Sequence, residues 1–562
     1  MNDNASISNS TASAQPAEFD EHDLIAQRQH KRAQLLDLGI DPYPHAFAVS
    51  HRLEQIQAVD FAALVQAGEA LSVPGRVQAI RRHGKLWFID LGDARDGARL
   101  QLMVPRQDSN PQTLAVIENI DLGDIIGAHG TPVYTRTGEP TLRVDALTML
   151  TKSLRPLPSF KSAAEPVGEE LAARQPELAM LFGRKRRVLR QRARILQCLR
   201  AIFAERGYTE IETPYLNPHF GGAEARPFVT YVNALGQEVF LAISPEIELK
   251  RAIVGGFEEG AYTIARNFRN EGIDLSHNPE FTSLEVYVPY ADYTAMMALT
   301  ERLFSQSCVA LHGVSQAPFK GVMLDFTPPW PRVEMLQSVT AATGLDVAKL
   351  DAEALRTGIV ERGLADAYNL ETLDEAALLA RLTQAGLDSE GEHDPQRLRE
   401  RLRRHRLHVP IEIDQEWDFL VLELFERYVE PTLIQPCHVV RHPARSTVLC
   451  KQDRQGRLSN GEGLIERFES FACGMELSNA YSELNDPMIQ RALVEAQAQA
   501  RDAGDDEAMP HNEAFLQSIE YGMPPCGGLG IGVDRLVMLL TDSASIRDVI
   551  AFPLVRRKED AA

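Results

Sequence analysis

No stretch of these 562 residues approaches the ~20 consecutive apolar positions that a membrane-spanning helix needs. The opening residues, MNDNASISNSTASAQPAEFD, carry neither a basic leader nor an apolar core. Nothing in them reads as a secretory signal, and residues 1–20 read as a disordered tail. Cysteine is scarce: Cys198, Cys308, Cys437, Cys450, Cys473 and Cys526, none arranged as CxxC. Neither a zinc ribbon nor a disulfide framework is indicated, and a reducing, cytoplasmic setting fits best. The chain has no GxxxxGK[ST] loop, and its Gly-rich run GGLGIGVDR (527–535) lacks a βαβ context, so neither a Walker loop nor a Rossmann site is indicated. Positive charge is also short. The net charge of −21 argues against nonspecific nucleic-acid binding, yet a basic stripe on an acidic body remains compatible with such a partner. Two basic runs exist, RVQAIRRHGK (76–85) and GRKRRVLRQRAR (183–194), the second reading equally well as a solvated helix face.

What is present is an ordinary soluble composition, 44% apolar and 24% charged, at a length suited to about three or four domains. Residues 21–65 form an N-terminal helical segment, with helical periodicity over 21–40 ended by GIDPYP. Between 66 and 152 the pattern turns to short β-type runs: SVPGRVQAI, KLWFIDLG, ARLQLMV, DIIGAHGTPVYT and PTLRVDALTML. Five short strands separated by Gly and Asp predict a small barrel, with the OB-fold as the candidate. Residues 153–183, rich in Pro and Ser at their start, read as a linker. The remainder, 184–562, opens with a helix over about 184–206 closed by Gly207. Short strands and turns dominate 207–310, and 466–486 reads as one strand. Residues 345–408 are charged and helical in pattern, an inserted module with solvated faces.

The stretch RNFRNEGIDLSHNPEFTSLEVY (266–287) predicts a hairpin with strands 262–271 and 281–290 and an unusual load of ionisable groups. Alternation puts Phe281, Ser283, Glu285 and Tyr287 on one face and the core residues Thr282, Leu284, Val286 and Val288 on the other. On the first strand Asn267, Arg269 and Glu271 share a face, and His277 sits in the loop. Arg with interleaved Phe and Tyr suits a phosphorylated aromatic ligand: a guanidinium fork for phosphate oxygens and a plane for a purine. A hairpin with one face in water accounts for the charges but not for the aromatics. The glycines of 527–532 allow close backbone approach to a flat ligand, with Arg535 at the following helix start; a tightly packed strand–helix junction is the plainer reading. Glu469 and Glu476, in one strand-like stretch, suit Mg2+ bridged by phosphate oxygens, or are simply surface acids.

GYTEIETP (207–214), RNFRNEGIDLSHNPEFTSLEVY and GLGIGVDR (528–535) resemble, in order, motifs 1, 2 and 3 of the class II aminoacyl-tRNA synthetases. The wording is most similar to the lysyl-tRNA synthetases, through GGAEARPF, KRAIVGGFE, HNPEFT, YADY, LIQP, ERFE, SELNDP, AGDDEAM and IRDVIAFP, and covers roughly 22–345 and 412–557. The resemblance implies an α+β fold, an antiparallel sheet flanked by helices with an N-terminal OB-fold anticodon-binding barrel. It implies ATP and Mg2+, lysine, tRNA(Lys) and a homodimer. By position, Arg269 holds the α-phosphate, Glu271 the adenine amino group and His277 the outer phosphates. Phe281 and Arg535 cover the two adenine faces, with Arg535 also at the γ-phosphate. Glu469 and Glu476 match Mg2+ ligands, Glu469 also lying against ATP. Asn479 places the amino-acid carboxylate, Glu285 the α-amino group, and Glu246, Glu483 and Tyr287 the side-chain ammonium. In the barrel, Phe88, Gln101 and Glu139 match positions used for anticodon bases, and Trp87 competes with Phe88 for the stacking role.

The chain departs from that pattern at ARQPELAML (173–181), at STVLCK (446–451), at Glu248 where Tyr is usual, at the shifted pair Arg81 and Arg82, and in the length of the 345–408 insertion. Two other functions stay open at this point. One is a paralogue that activates lysine or an analogue for a protein or small-molecule acceptor, against which the OB domain argues. The other is a noncatalytic binding protein on the same scaffold, against which Arg269, Arg535, Glu469 and Glu476 argue.

Overall fold

The computed structural model describes residues 21–92, 98–157, 169–182, 184–365, 373–384, 393–404, 410–504 and 508–555. The tail 1–20, much of the 153–183 stretch and parts of 345–408 lie outside the described residues. The chain divides into two compact units, one ending at Arg187 and one beginning at Val188.

In the first unit five strands, β1 (Leu71–His83), β2 (Leu86–Gly92), β3 (Arg99–Pro105), β4 (Ile125–Tyr134) and β5 (Pro140–Thr151), close into a barrel in the order β1-β2-β3-β5-β4. Alternation fills it: Val73, Val77, Ile89, Leu91, Leu102, Ile126 and Leu142 point inward and are fully buried. The helix Pro111–Asn119, capped by the Asn110 side chain on the Thr113 amide, adds Val116 and Ile117 to that core. Within 153–183, expected to be a linker, short helices run over Glu169–Arg174 and Pro176–Phe182. Their Glu, Leu and Ala content favours a helix over an open connection.

The second unit is built on strands β6 (Thr209–Glu210), β7 (Leu216–Asn217), β8 (Val229–Val232), β9 (Gln237–Leu241), β10 (Ala261–Phe268), β11 (Glu280–Pro289), β12 (Gln316–Phe319), β13 (Val322–Asp325), β14 (Arg332–Glu334), β15 (Cys437–Pro443), β16 (Leu464–Ala472), β17 (Met475–Ser482) and β18 (Cys526–Gly532). Eight of them form one sheet, β14-β15-β16-β17-β18-β11-β10-β6, antiparallel except at β14/β15 and β6/β10. One face of this sheet is dry. Leu284, Val286, Phe468, Ala480, Leu529 and Ile531 pack there against Leu199 and Phe203 of the helix Lys185–Glu205, Leu303 and Phe304 of Tyr293–His312, and Leu536 and Leu540 of Val533–Thr541. The opposite face carries the polar residues.

Three expectations change. The stretch 466–486 is two strands, β16 and β17, because Cys473 and Gly474 both adopt positive φ (52° and 64°) and turn the chain back on itself. The hairpin strands stop at Phe268 and start at Glu280, so Arg269 and Glu271 stand in the connecting loop rather than on the strand. The 207–310 region contains a 20-residue helix, Tyr293–His312, which Asp292 caps through the Thr294 and Ala295 amides. In the insertion, Leu378, Leu382, Leu398 and Leu402 of the helices Glu375–Gln384 and Pro395–Arg404 share one core with Met335, Trp417 and Phe425.

Candidate active site

Antiparallel register brings the ionisable residues of the sheet to one surface. Glu285 pairs with Gly530, Asn479 with Gly530 and Glu469, and Tyr287 with Gly528. Alternation then gathers Phe281, Ser283, Glu285 and Tyr287 of β11 beside Arg467 and Glu469 of β16 and Asn479 and Tyr481 of β17. The glycines of β18 leave the floor between them low. The result is a cavity of about 410 Å³, lined among others by Glu246, Arg269, Glu271, His277, Phe281, Glu285, Tyr287, Glu469, Glu476, Asn479, Glu483 and Arg535. All twelve residues singled out in this part of the sequence therefore meet at one place.

The two ends of the cavity differ in charge. At one end, the Arg269 guanidinium lies 5.2 Å from the centroid of the Phe281 ring. Arg535 donates to the Glu476 carbonyl (2.6 Å) and to His277 Nε2 (3.0 Å). The His277 Nδ1 faces Asp274 Oδ2 at 2.8 Å. Because arginine can only donate, Nε2 is the acceptor and Nδ1 carries the proton toward Asp274. Asp534 fixes the start of the Arg535 helix, accepting from the Thr282 amide (2.7 Å) and from Arg192 (2.6 Å).

Glu469 and Glu476 stand on adjacent strands. Burial in the cleft and then the Glu469 charge raise the Glu476 carboxyl above its ordinary range, opposed by Arg535. Two carboxylates on adjacent strands that line one cavity are a donor set suited to a hard divalent cation. Among the described residues no cluster of three or more His, Cys, Asp or Glu forms a complete ligand set. The remaining oxygens for such an ion have to come from a bound phosphate and water.

At the other end Glu246, Glu285 and Glu483 converge, all buried, with the phenols of Tyr287 and Tyr481. The Ser244 hydroxyl approaches both Glu285 oxygens (3.2 and 3.3 Å), and Asn267 donates to Ser283, which in turn reaches Glu285 at 3.3 Å. Burial, then the Glu246 charge, push the Glu285 carboxyl up to about 8. The Tyr287 hydroxyl is raised well above its usual value, again by burial first and Glu246 second. This end is a desolvated, acidic chamber.

Sequence reasoning missed several members. Arg467 donates to Asn479 (3.2 Å) and to the Ser446 carbonyl (2.9 Å), and also contacts Glu469. Its spacing of two from Glu469, and that of Tyr481 from Asn479 and Glu483, was the available signal. Ser244 and Lys250 carried none, and Asn267 was legible only as sharing a face with Arg269.

In the barrel unit, register aligns Phe88 with Arg81 and Met103, and Gln101 with Asp90 and Thr141. Phe88 and Gln101 are half-buried on the outer surface, and exposed Glu139 directly precedes β5. Thr141 donates to Gln101 (3.0 Å), and Arg81 makes a two-pronged pair with Asp90 (2.6 and 2.7 Å). Trp87 points the other way, into the core, only 5% exposed.

Residues 168–556 match the family described as tRNA synthetases class II (D, K and N), and residues 71–150 match the OB-fold nucleic acid binding domain. Along nearly its whole length the chain is similar to proteins named lysine–tRNA ligase. That of Chloroflexus aurantiacus is 39% identical over 96% of this chain and 99% of its own length. That of Moorella thermoacetica is 40% identical over 96% and 99%. That of Thermosynechococcus vestitus is 41% identical over 95% and 97%.

Proposed function

The chain belongs to the class II tRNA synthetases of the D, K and N group, within the lysine–tRNA ligases, and on that premise we propose that it activates lysine with ATP and transfers it to tRNA(Lys). The observation that carries the reading is the split of one cavity into a cationic end around Arg269 and Arg535 and an acidic end around Glu246, Glu285 and Glu483. An acidic chamber suits a ligand with two ammonium groups. An unpaired ammonium buried there costs several kcal/mol, roughly, so its partners have to be waiting. A ligand with an acidic side chain meets three carboxylates instead, and is rejected.

Each residue has a part in this reading. Glu246, Glu483 and Tyr287 receive the side-chain ammonium, Glu285 the α-amino group, and Asn479 orients the carboxylate. The purine stacks between Phe281 and Arg535, with Glu271 at its amino group and His277 near the outer phosphates. Arg269 draws charge from the α-phosphate. The lysine carboxylate oxygen attacks the α-phosphorus in line and pyrophosphate leaves, giving lysyl-adenylate. The terminal ribose 3′-hydroxyl of tRNA then attacks the acyl carbon and AMP departs. No protein nucleophile takes part; the protein's contribution is positioning and charge stabilisation. Glu469 and Glu476 would hold Mg2+, which offsets charge on the phosphates when bound.

The barrel surface bearing Phe88, Gln101 and Glu139 supports tRNA, rather than a protein, as acceptor. A homodimer belongs to the same proposal, supported by exposed Leu216, Val229 and Tyr231 on the small sheet β7-β9-β8 and by exposed Tyr215 just before it. No helix among the described residues is long and apolar enough to cross a membrane, and a cytoplasmic setting is part of the proposal. The test is charging of total tRNA with labelled lysine beside ATP–pyrophosphate exchange across amino acids. Lysine-dependent exchange with charging is expected, and Arg269→Ala is expected to abolish both. Exchange with a different amino acid would overturn the substrate.

A further inference from the structure

Behind the acidic chamber stands a cation of the protein's own. Lys250, on the helix Glu246–Val254, is 1% exposed and does not line the cavity. Its Nζ lies 2.6 Å from Glu246 Oε1 and 2.5 Å from Glu483 Oε2. Those two carboxylates come from different elements, the first turn of the helix and the residue just past β17. Each shows one side to Lys250 and the other to the cavity. Glu483 is further fixed by its amide on the Cys526 carbonyl (2.8 Å) and by an isolated bridge to Cys450.

We propose that Lys250 is a positioning residue for amino-acid selection: a resident ammonium that holds Glu246 and Glu483 convergent and cancels one of their two charges, so that the chamber accepts one further ammonium. The inference rests on the lysine-activating reading above. With Glu285, the chamber carries three carboxylates against one internal cation. Once Glu285 is ionised in the lysine complex, lysine's side-chain and α-amino groups balance the two charges that Lys250 leaves uncompensated. Without Lys250, two buried carboxylates face each other across the site. Their repulsion either parts them or leaves one protonated, and in both cases the paired acceptor for the ligand's ammonium is lost. The role is one of geometry and charge count, since Nζ touches no reacting atom.

Lysine-dependent ATP–pyrophosphate exchange by the unaltered protein comes first; its absence would sink the functional reading rather than this inference. Given that activity, Lys250→Met, nearly the same size but uncharged, is expected to raise the lysine KM at least ~10-fold while the ATP KM stays within about twofold. Added ammonium chloride, whose cation has the size of the one heavy atom by which lysine exceeds methionine, is expected to lower the lysine KM again, with sodium chloride as the ionic-strength control. A lysine KM unchanged in a folded variant, or one raised but insensitive to ammonium, overturns the proposal. A second measurement does not depend on that variant folding. In the unaltered protein labelled with 15N at lysine Nζ, the exchange-protected Lys250 ammonium resonance should shift when unlabelled lysine is added and hold still with norleucine, which has no side-chain ammonium. Lys152, equally buried in the barrel unit beside Asp121 and Asp124, is the control that should not move. A Lys250 signal indifferent to lysine also overturns the proposal.

Discussion

Arg535 donates to His277 Nε2 across the mouth of the cleft, joining the helix that follows β18 to the loop of the β10–β11 hairpin, 258 positions apart in sequence. The bond makes the two residues one unit, with Asp274 holding the opposite side of the imidazole. Replacing His277 with Ala releases the guanidinium from its place at the phosphate end. A hydrogen bond to a charged group contributes roughly 1.5–3 kcal/mol, so the ATP KM should rise about tenfold or more, with the lysine KM little changed. His277→Gln keeps an acceptor oxygen and should recover part of the loss. Steady-state exchange kinetics decide it, and an unaltered ATP KM for the Ala variant would remove His277 from the nucleotide site.

The raised carboxyl of Glu285 makes lysine binding pH-dependent. With its value near 8, Glu285 retains its proton at neutral pH in the free protein. An ammonium requires the carboxylate, so binding expels that proton and the affinity climbs as pH rises toward 8, by up to about tenfold per unit for one proton. Above that range the climb levels off. For the ligand-free protein the sign is opposite: the folded state holds a proton that the unfolded chain releases. This group therefore lowers stability as pH rises from the ordinary carboxylate range to about 8. Calorimetric titration with lysine in two buffers of different ionisation enthalpy should show proton release near neutrality. A pH-independent affinity without release would mean that Glu285 does not meet an ammonium.

Gly528 sits where any side chain would intrude. A Cβ there would overlap Glu483 Oε1 and come within 2.6 Å of Tyr287 Cε1. Gly528→Ala should push both groups out of line, at a cost of about 1–3 kcal/mol typical of overpacking. The lysine KM should increase roughly ten- to a hundredfold while ATP binding holds. An Ala variant with normal lysine kinetics would show that these two residues move freely.

In the barrel, Phe88 offers a ring to a nucleotide base. Stacking of one base is worth about 1–3 kcal/mol, so Phe88→Ala should raise the tRNA KM in charging at least about fivefold. The exchange reaction, which uses no tRNA, is expected to persist. Charging and exchange measured on one preparation separate the two, and equal tRNA affinity before and after substitution would move the contact elsewhere on the barrel.

The barrel strands were legible because Gly and Asp mark their ends and apolar residues alternate along much of each, with bulges where β1 pairs with β2 and β4 with β5 interrupting the pattern. The hairpin faces were legible for the same reason, since Leu284 and Val286 choose the core and their neighbours follow. The turn between β16 and β17 was not: Cys473 is an unusual residue at φ 52°, and only Gly474 announces it. The helix Tyr293–His312 did have a signal in the Asp292 cap, overshadowed by the strands around it. Lys250 was the hardest. Four residues after Glu246 on a helix, it has the spacing of an ordinary solvated pair. Only the arrival of Glu483 from a strand more than two hundred residues away turns that pair into a buried triad.

The floor of the cleft is rich in glycine. β18 spends four of its seven positions on glycine, Gly527, Gly528, Gly530 and Gly532. Each forfeits about 0.5–1 kcal/mol of chain entropy relative to alanine. Such a strand has little rigidity of its own and borrows it from β17 and β11, which flank it on either side. Damage to either neighbour is therefore felt at the floor before it is felt in the fold. On warming, the grip on substrate should slacken while the surrounding sheet is still intact, so that inactivation runs ahead of melting.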